Sequence, residues 1–164
     1  MNSELKKISG SVLGIGLSEK EQNILDKNDK VVECYLLSSN NTSDGGSKGY
    51  NKTIDIRKIK KLFRKKSFDY IVGNFEELRP YLRSFIKNSI YLNKNKIYYY
   101  NIQDFDAEEL ENRYTRYGSS VEKKKNIMII DNSNAKTNII KNIFYYLCDL
   151  IYDAIDYIGR MLVN

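Results

Sequence analysis

A chain of 164 residues with 41% hydrophobic and 29% charged side chains has room for one compact domain and too little length for two ordinary ones. It contains no histidine, and its two cysteines, Cys34 and Cys148, lie far apart. This excludes His-based relays and HExxH zinc sites and leaves no basis for a disulfide framework or thiolate zinc site. The net charge of +6 is local, because Arg57–Lys66 alone carries seven cations and no acid, leaving the remainder slightly acidic.

No apolar run reaches the ~18 residues that a membrane span needs. The glycines and serines after Lys6 and Lys7 interrupt anything resembling an export signal, so a soluble cytoplasmic protein is expected. The apolar runs are short and β-branched or aromatic, and they alternate with helical patterns, which predicts an α/β fold with a largely parallel sheet. The first strand is predicted at Ser11–Leu17. Ser18 then caps a short helix to Lys27, with Glu21 in the capping-box position. Val31–Leu37 is the second strand, residues 38–52 form a polar loop, and Lys52–Ile56 is a brief third strand. In the basic segment, Ile59, Leu62 and Phe63 fall on one helical face.

Phe68–Asn74 reads as a buried fourth strand running into a helix from Glu76 to Leu92, with Pro80 near its first turn. Lys96–Ile102 is the fifth strand. Asp106 is expected to cap a helix over Ala107–Tyr117, stopped by Gly118. A strand pair follows, Ser119–Glu122 and Asn126–Ile130. From Ala135 onward, apolar residues from Ile139 to Leu162 recur every three or four positions, predicting one long helix. The expected division is therefore an α/β domain over residues 1–134 and a terminal helix over 135–164. That helix either covers the core or pairs with a second copy in a homodimer.

Two glycines close the first strand in Gly14-Ile15-Gly16-Leu17-Ser18. Such a turn serves either tight packing or the approach of a nucleotide to backbone N–H groups. Together with Ser67-Phe68-Asp69-Tyr70-Ile71-Val72 and the terminal strand pair, it resembles the class I S-adenosylmethionine-dependent methyltransferases, over roughly residues 8–131. The resemblance implies a Rossmann-like fold and S-adenosylmethionine as cofactor. It implies that Gly14, Gly16 and Ser18 line the amino-acid and ribose side, that Asp55 reaches the adenine, and that Asn74 orients the methyl acceptor.

The sequence also departs from that family. Gly14 stands where the family has an acid, Ser18 replaces a turn glycine, and Leu36-Leu37-Ser38-Ser39-Asn40 stands where a ribose-binding carboxylate is usual. Gly73-Asn74-Phe75-Glu76 keeps the Asn and the aromatic of amino-methylating members without their prolines. These departures imply a weakened grip on the cofactor. Methyl transfer works mainly by positioning two reactants, so the missing histidine does not oppose it.

The alternative is a non-catalytic Rossmann-like binding protein that uses Arg57–Lys66 for nucleic acid or the terminal helix for a protein partner. Asp69 is read either as a site residue or as a fold-stabilising one. Tyr98-Tyr99-Tyr100 is read either as a base-stacking platform or as core, since alternate residues of a strand face opposite sides.

Overall fold

The computed structural model describes residues 2–38, 51–53 and 56–135, together with 144, 147, 148, 150, 151 and 155. Seven strands form one sheet: β1 (Gly10–Ile15), β2 (Val31–Ser38), β3 (Asn51–Thr53), β4 (Phe68–Asn74), β5 (Asn93–Tyr100), β6 (Ser120–Lys124) and β7 (Ile127–Asp131). Their spatial order is β3-β2-β1-β4-β5-β7-β6. The first five are parallel, and β7 runs antiparallel between β5 and β6. The order reverses between β1 and β4, and in open α/β sheets ligands bind at the carboxyl ends of strands beside such a reversal.

Helices cover both faces. On one lie α1 (Asn2–Leu5) and α2 (Glu19–Asp26). On the other lie α3 (Phe75–Leu78), α4 (Leu82–Leu92), α5 (Asp104–Arg116) and the 3-10 segment Ile56–Lys61. Buried Val12 and Val72 serve the first face, while Leu13, Ile15 and Ile71 serve the second, which explains why β1 and β4 read as nearly continuous apolar runs.

The three tyrosines of β5 are all core residues. Tyr99 packs edge-on to Phe75 and Phe85, and its hydroxyl meets that of Tyr114, which also lies 2.7 Å from Ser89 Oγ. Tyr98 faces the opposite side and stacks on Tyr70.

Several local expectations are corrected. The helix predicted from Ala107 with Asp106 as its cap starts at Asp104, after Gln103. Asp104 and Asp106 both occupy its first turn, where the helix dipole favours acids, and Asp106 is buried and ion-paired to Arg79 at 3.3 Å. The helix predicted over 76–92 is broken: Arg79–Tyr81 is a 3-10 turn, because Pro80 offers no N–H to the ladder. The basic segment forms a 3-10 stretch, Ile56–Lys61, followed by turns, with Ile59 buried and Phe63 packed against the core. Strand β5 stops at Tyr100, two residues early, because Asn101 takes φ +60°.

Residues 39–50, on which the polar-loop expectation falls, Ile54, Asp55 and most of 136–164 lie outside the described residues. Within the terminal segment, Phe144, Leu147, Cys148, Leu150, Ile151 and Ile155 are helical. No helix among the described residues is long and apolar enough to cross a membrane.

Candidate functional site

The carboxyl ends of β1, β4 and β5 open into a cleft of about 360 Å³ lined by Gly16, Leu17, Ser18, Glu21, Asn74, Glu77, Tyr100 and Asn101. Its location follows from the sheet reversal. Its floor is Gly16, whose φ of +62° turns the chain out of β1 toward α2, and whose N–H donates to the Leu37 carbonyl at 2.9 Å. A methyl group on Gly16 would lie 2.5–2.9 Å from the Glu77 carboxyl atoms, so the carboxylate packs directly on the glycine.

The cleft is acidic by construction. Ser18 precedes α2 and Asn74 caps α3, so Glu21 and Glu77 each fall at the third residue of the following helix. Side chains at that position fold back toward the helix start, here toward the strand ends. The Glu21 carboxylate accepts the Ser18 N–H at 2.9 Å. The Tyr100 hydroxyl reaches both Glu21 Oε2 and the Gly16 carbonyl at 2.8 Å, linking β5 to the β1 turn. Burial, then the neighbouring Glu21, holds the Tyr100 phenol well above its ordinary pKa, so it stays a neutral donor. Among the described lining residues the charged side chains are Glu21 and Glu77.

Asn74 sits at the rim. Its Oδ1 accepts the Glu76 N–H at 3.2 Å and the Asn101 amide at 3.3 Å. Its carbonyl is therefore occupied by capping, and its amide hydrogens are what it presents to a ligand.

Three of the five residues singled out from sequence, Gly16, Ser18 and Asn74, meet in this cleft. Gly14 does not line it. A methyl group there would lie 2.6 Å from Leu17 Cδ1 and 2.8 Å from Leu36 Cδ2, so its glycine character answers to side-chain packing. Asp55 lies outside the described residues.

Asp69 belongs to the amino end of β4, away from the cleft. Its Oδ2 accepts the Ser11 N–H and hydroxyl, each at 2.9 Å, and Lys94 pairs with Oδ1 at 3.3 Å. Burial pushes the carboxyl up, but the Ser11 hydrogen bonds and Lys94 outweigh it and hold its pKa below the usual range. Its role is to tie β1 to β4.

In the sequence Glu21 reads only as a cap and Tyr100 only as a stacking platform or core residue, and neither Glu77 nor Asn101 is singled out for the site. The spacing Asn74-x-x-Glu77 was the available signal, since it repeats the Ser18-x-x-Glu21 pattern.

Solved structures share this fold at low sequence identity. The mycinamycin-pathway methyltransferase MycE, in complex with Mg, S-adenosylhomocysteine and mycinamycin VI, matches at TM-score 0.59 and 9% identity over 82% of this chain. The methyltransferase domain of bacterial CtHen1 matches at TM-score 0.59 and 11% identity, over 79% of this chain and 94% of that one. This chain has the fold of class I S-adenosylmethionine-dependent methyltransferases. TrmK of M. capricolum, bound to S-adenosylhomocysteine, matches at TM-score 0.53 and 12% identity over 84% of this chain and 69% of that one. The chain spans only 44% of the MycE protein. No family model matches the sequence, and no curated protein does.

Proposed function

We propose that the protein is an S-adenosylmethionine-dependent methyltransferase-like protein whose cofactor site is the acidic cleft at the β1–β4 reversal. The observation that carries this reading is the meeting of the Gly16 turn, the Ser18 helix start, Asn74 and two carboxylates at that one point. The cleft volume of about 360 Å³ falls in the usual range of small-molecule pockets. The residues present fit the group, because S-adenosylmethionine carries an ammonium and a sulfonium and the cleft offers the carboxylates of Glu21 and Glu77. When bound, that cofactor supplies an electrophilic methyl group.

In this reading Glu77 replaces the acid that the sequence lacks before the first glycine, approaching Gly16 from the β4 side. Ser18 starts α2, whose first turn presents backbone N–H groups, Tyr100 fixes Glu21, and Asn74 orients an acceptor through its amide hydrogens. Gly14 supports the turn by packing. Asp55 remains a proposed adenine contact on resemblance alone. Such positioning is sufficient chemistry for methyl transfer.

Calorimetric titration with S-adenosylmethionine and S-adenosylhomocysteine tests the reading, with Glu77→Gln expected to weaken binding about tenfold as one charge-assisted contact is lost. No heat of binding at millimolar ligand sinks it.

The competing reading is a non-catalytic binding protein. Exposed Lys60, Lys61, Arg64 and Lys65 favour nucleic acid on the basic segment, and exposed Phe144, Leu147, Leu150, Ile151 and Ile155 favour a homodimer through the terminal helix. A light-scattering mass of one chain well above micromolar concentration removes the dimer. The free thiols of Cys34 and Cys148 fit a reducing cytoplasm.

A further inference from the structure

A second concavity, larger than the acidic cleft at about 770 Å³, runs along α2. Its wall is built by α2, the turn into β2 and the turn after α1. Among the described residues that line it are Lys6, Lys20, Lys27 and Lys30, two acids, Glu19 and Asp29, and the aliphatic Ile24. All four lysines are exposed, and none makes an ion pair among the described residues, whereas neighbouring Lys7 is bound to Glu4 at 3.0 Å.

The scaffold under these lysines is fixed. Asn28 Nδ2 donates to the Leu5 and Ile8 carbonyls at 3.3 and 2.9 Å, and its Oδ1 accepts the Lys30 N–H at 3.1 Å. Gly10 N–H donates to the Lys30 carbonyl at 2.8 Å. Lys6, Lys27 and Lys30 are thereby held around one trough.

Lys20 occupies the second position of α2, where the helix dipole opposes a cation, so helix stability does not account for it. Lys20 and Lys27 are seven residues apart on one helical face, about 10 Å along the axis, with Ile24 between them. Two cations spaced along a groove with an apolar surface between them suit a chain of phosphates carrying planar bases.

We propose that this trough binds the phosphodiester backbone of a single-stranded nucleic acid. The four lysines contact phosphates, and Ile24 gives a base an apolar surface. The trough begins beside the acidic cleft, since Ser18 lines one and Glu19 the other. A strand held by the lysines therefore ends next to the site. It lies on the opposite sheet face from the basic segment, whose Ile59 packs in the other core cluster while Leu5 and Leu25 belong to this one. The inference goes beyond the cofactor reading and does not depend on it.

The test is fluorescence anisotropy with a labelled single-stranded oligouridylate, without cofactor, for the wild type, Lys20→Glu/Lys27→Glu, and a reversal of Lys60, Lys61, Arg64 and Lys65. Four phosphate contacts predict that wild-type affinity falls roughly 50-fold between about 50 and 200 mM salt, and that two contacts leave only about a sevenfold fall. Weaker binding with this shallower salt dependence in the trough variant, and near-wild-type binding in the other, is the expected result. No binding by the wild type, unchanged binding by the trough variant, or equal loss in both variants overturns the proposal. Because both trough lysines are exposed, thermal denaturation of the variant should match the wild type closely, which separates lost binding from lost fold.

Discussion

Replacing Asp69 with alanine should weaken the fold and leave ligand binding in the cleft intact. The carboxylate fills a notch above Gly10, whose φ of +82° and lack of a side chain admit it, and there it accepts two hydrogen bonds from Ser11. Hydrogen bonds to an ionised group contribute about 1.5–3 kcal/mol each, with partial exposure placing these at the low end. The Lys94 pair joins two partly exposed side chains and contributes at most about 1 kcal/mol. The sum is a loss of about 3–4 kcal/mol, or roughly 6–16 °C in Tm for a domain of this size. Lys94→Ala should cost no more than about 1 kcal/mol.

The pH dependence has a definite sign. The folded-state pKa of Asp69 is lowered, so its contribution is complete above the unfolded value of about 3.9 and is lost as pH falls through the folded value. Asp69→Asn should therefore flatten the acid limb of the stability curve. Urea unfolding followed by circular dichroism across pH 3–7 (about four points) measures both effects. Asp69 lies about 16 Å along β4 from Asn74, so S-adenosylmethionine titration should be unaffected. An Asp69→Ala protein as stable as the wild type at neutral pH, or one that loses cofactor binding while keeping its stability, refutes the reasoning.

Three further outcomes are expected. Gly14→Ala forces a methyl group against Leu17 and Leu36 and should cost about 1–3 kcal/mol in urea unfolding, whether or not any ligand is present. Tyr114→Phe removes a fully buried hydroxyl that joins Tyr99 to Ser89 and should cost about 1–3 kcal/mol, whereas Tyr117→Phe, at a partly exposed position, should cost less. Burial, then nearby Asp26, pushes the Cys34 thiol up to about 12, so a thiol reagent at neutral pH should modify Cys148 promptly and Cys34 only as the protein opens; equal rates contradict this.

The sequence by itself determined the order and type of the strands. Val31–Leu37, Phe68–Asn74 and Asn126–Ile130 are apolar runs bounded by polar turns, and hydrophobic periodicity is a local property that survives without neighbours. The glycine turn and Asn74 were legible for the same reason. Helix boundaries were less so, because Asp106 and Asp104 both suit a first turn and only the burial of Asp106 beside Arg79 shows how far the helix extends.

What tertiary structure alone decided is which side chains share a space. Parallel pairing brings Ile15 beside Gly73 and Asn74 beside Tyr100, and this register carries Glu77 onto Gly16 and Tyr100 onto Glu21 across 61 and 79 positions of sequence. The lysine trough arises in the same way, from α1, α2 and a turn that Asn28 fastens together. The charge of a surface patch depends on distances through space, and these are set when the sheet closes its register and the helices pack on its faces.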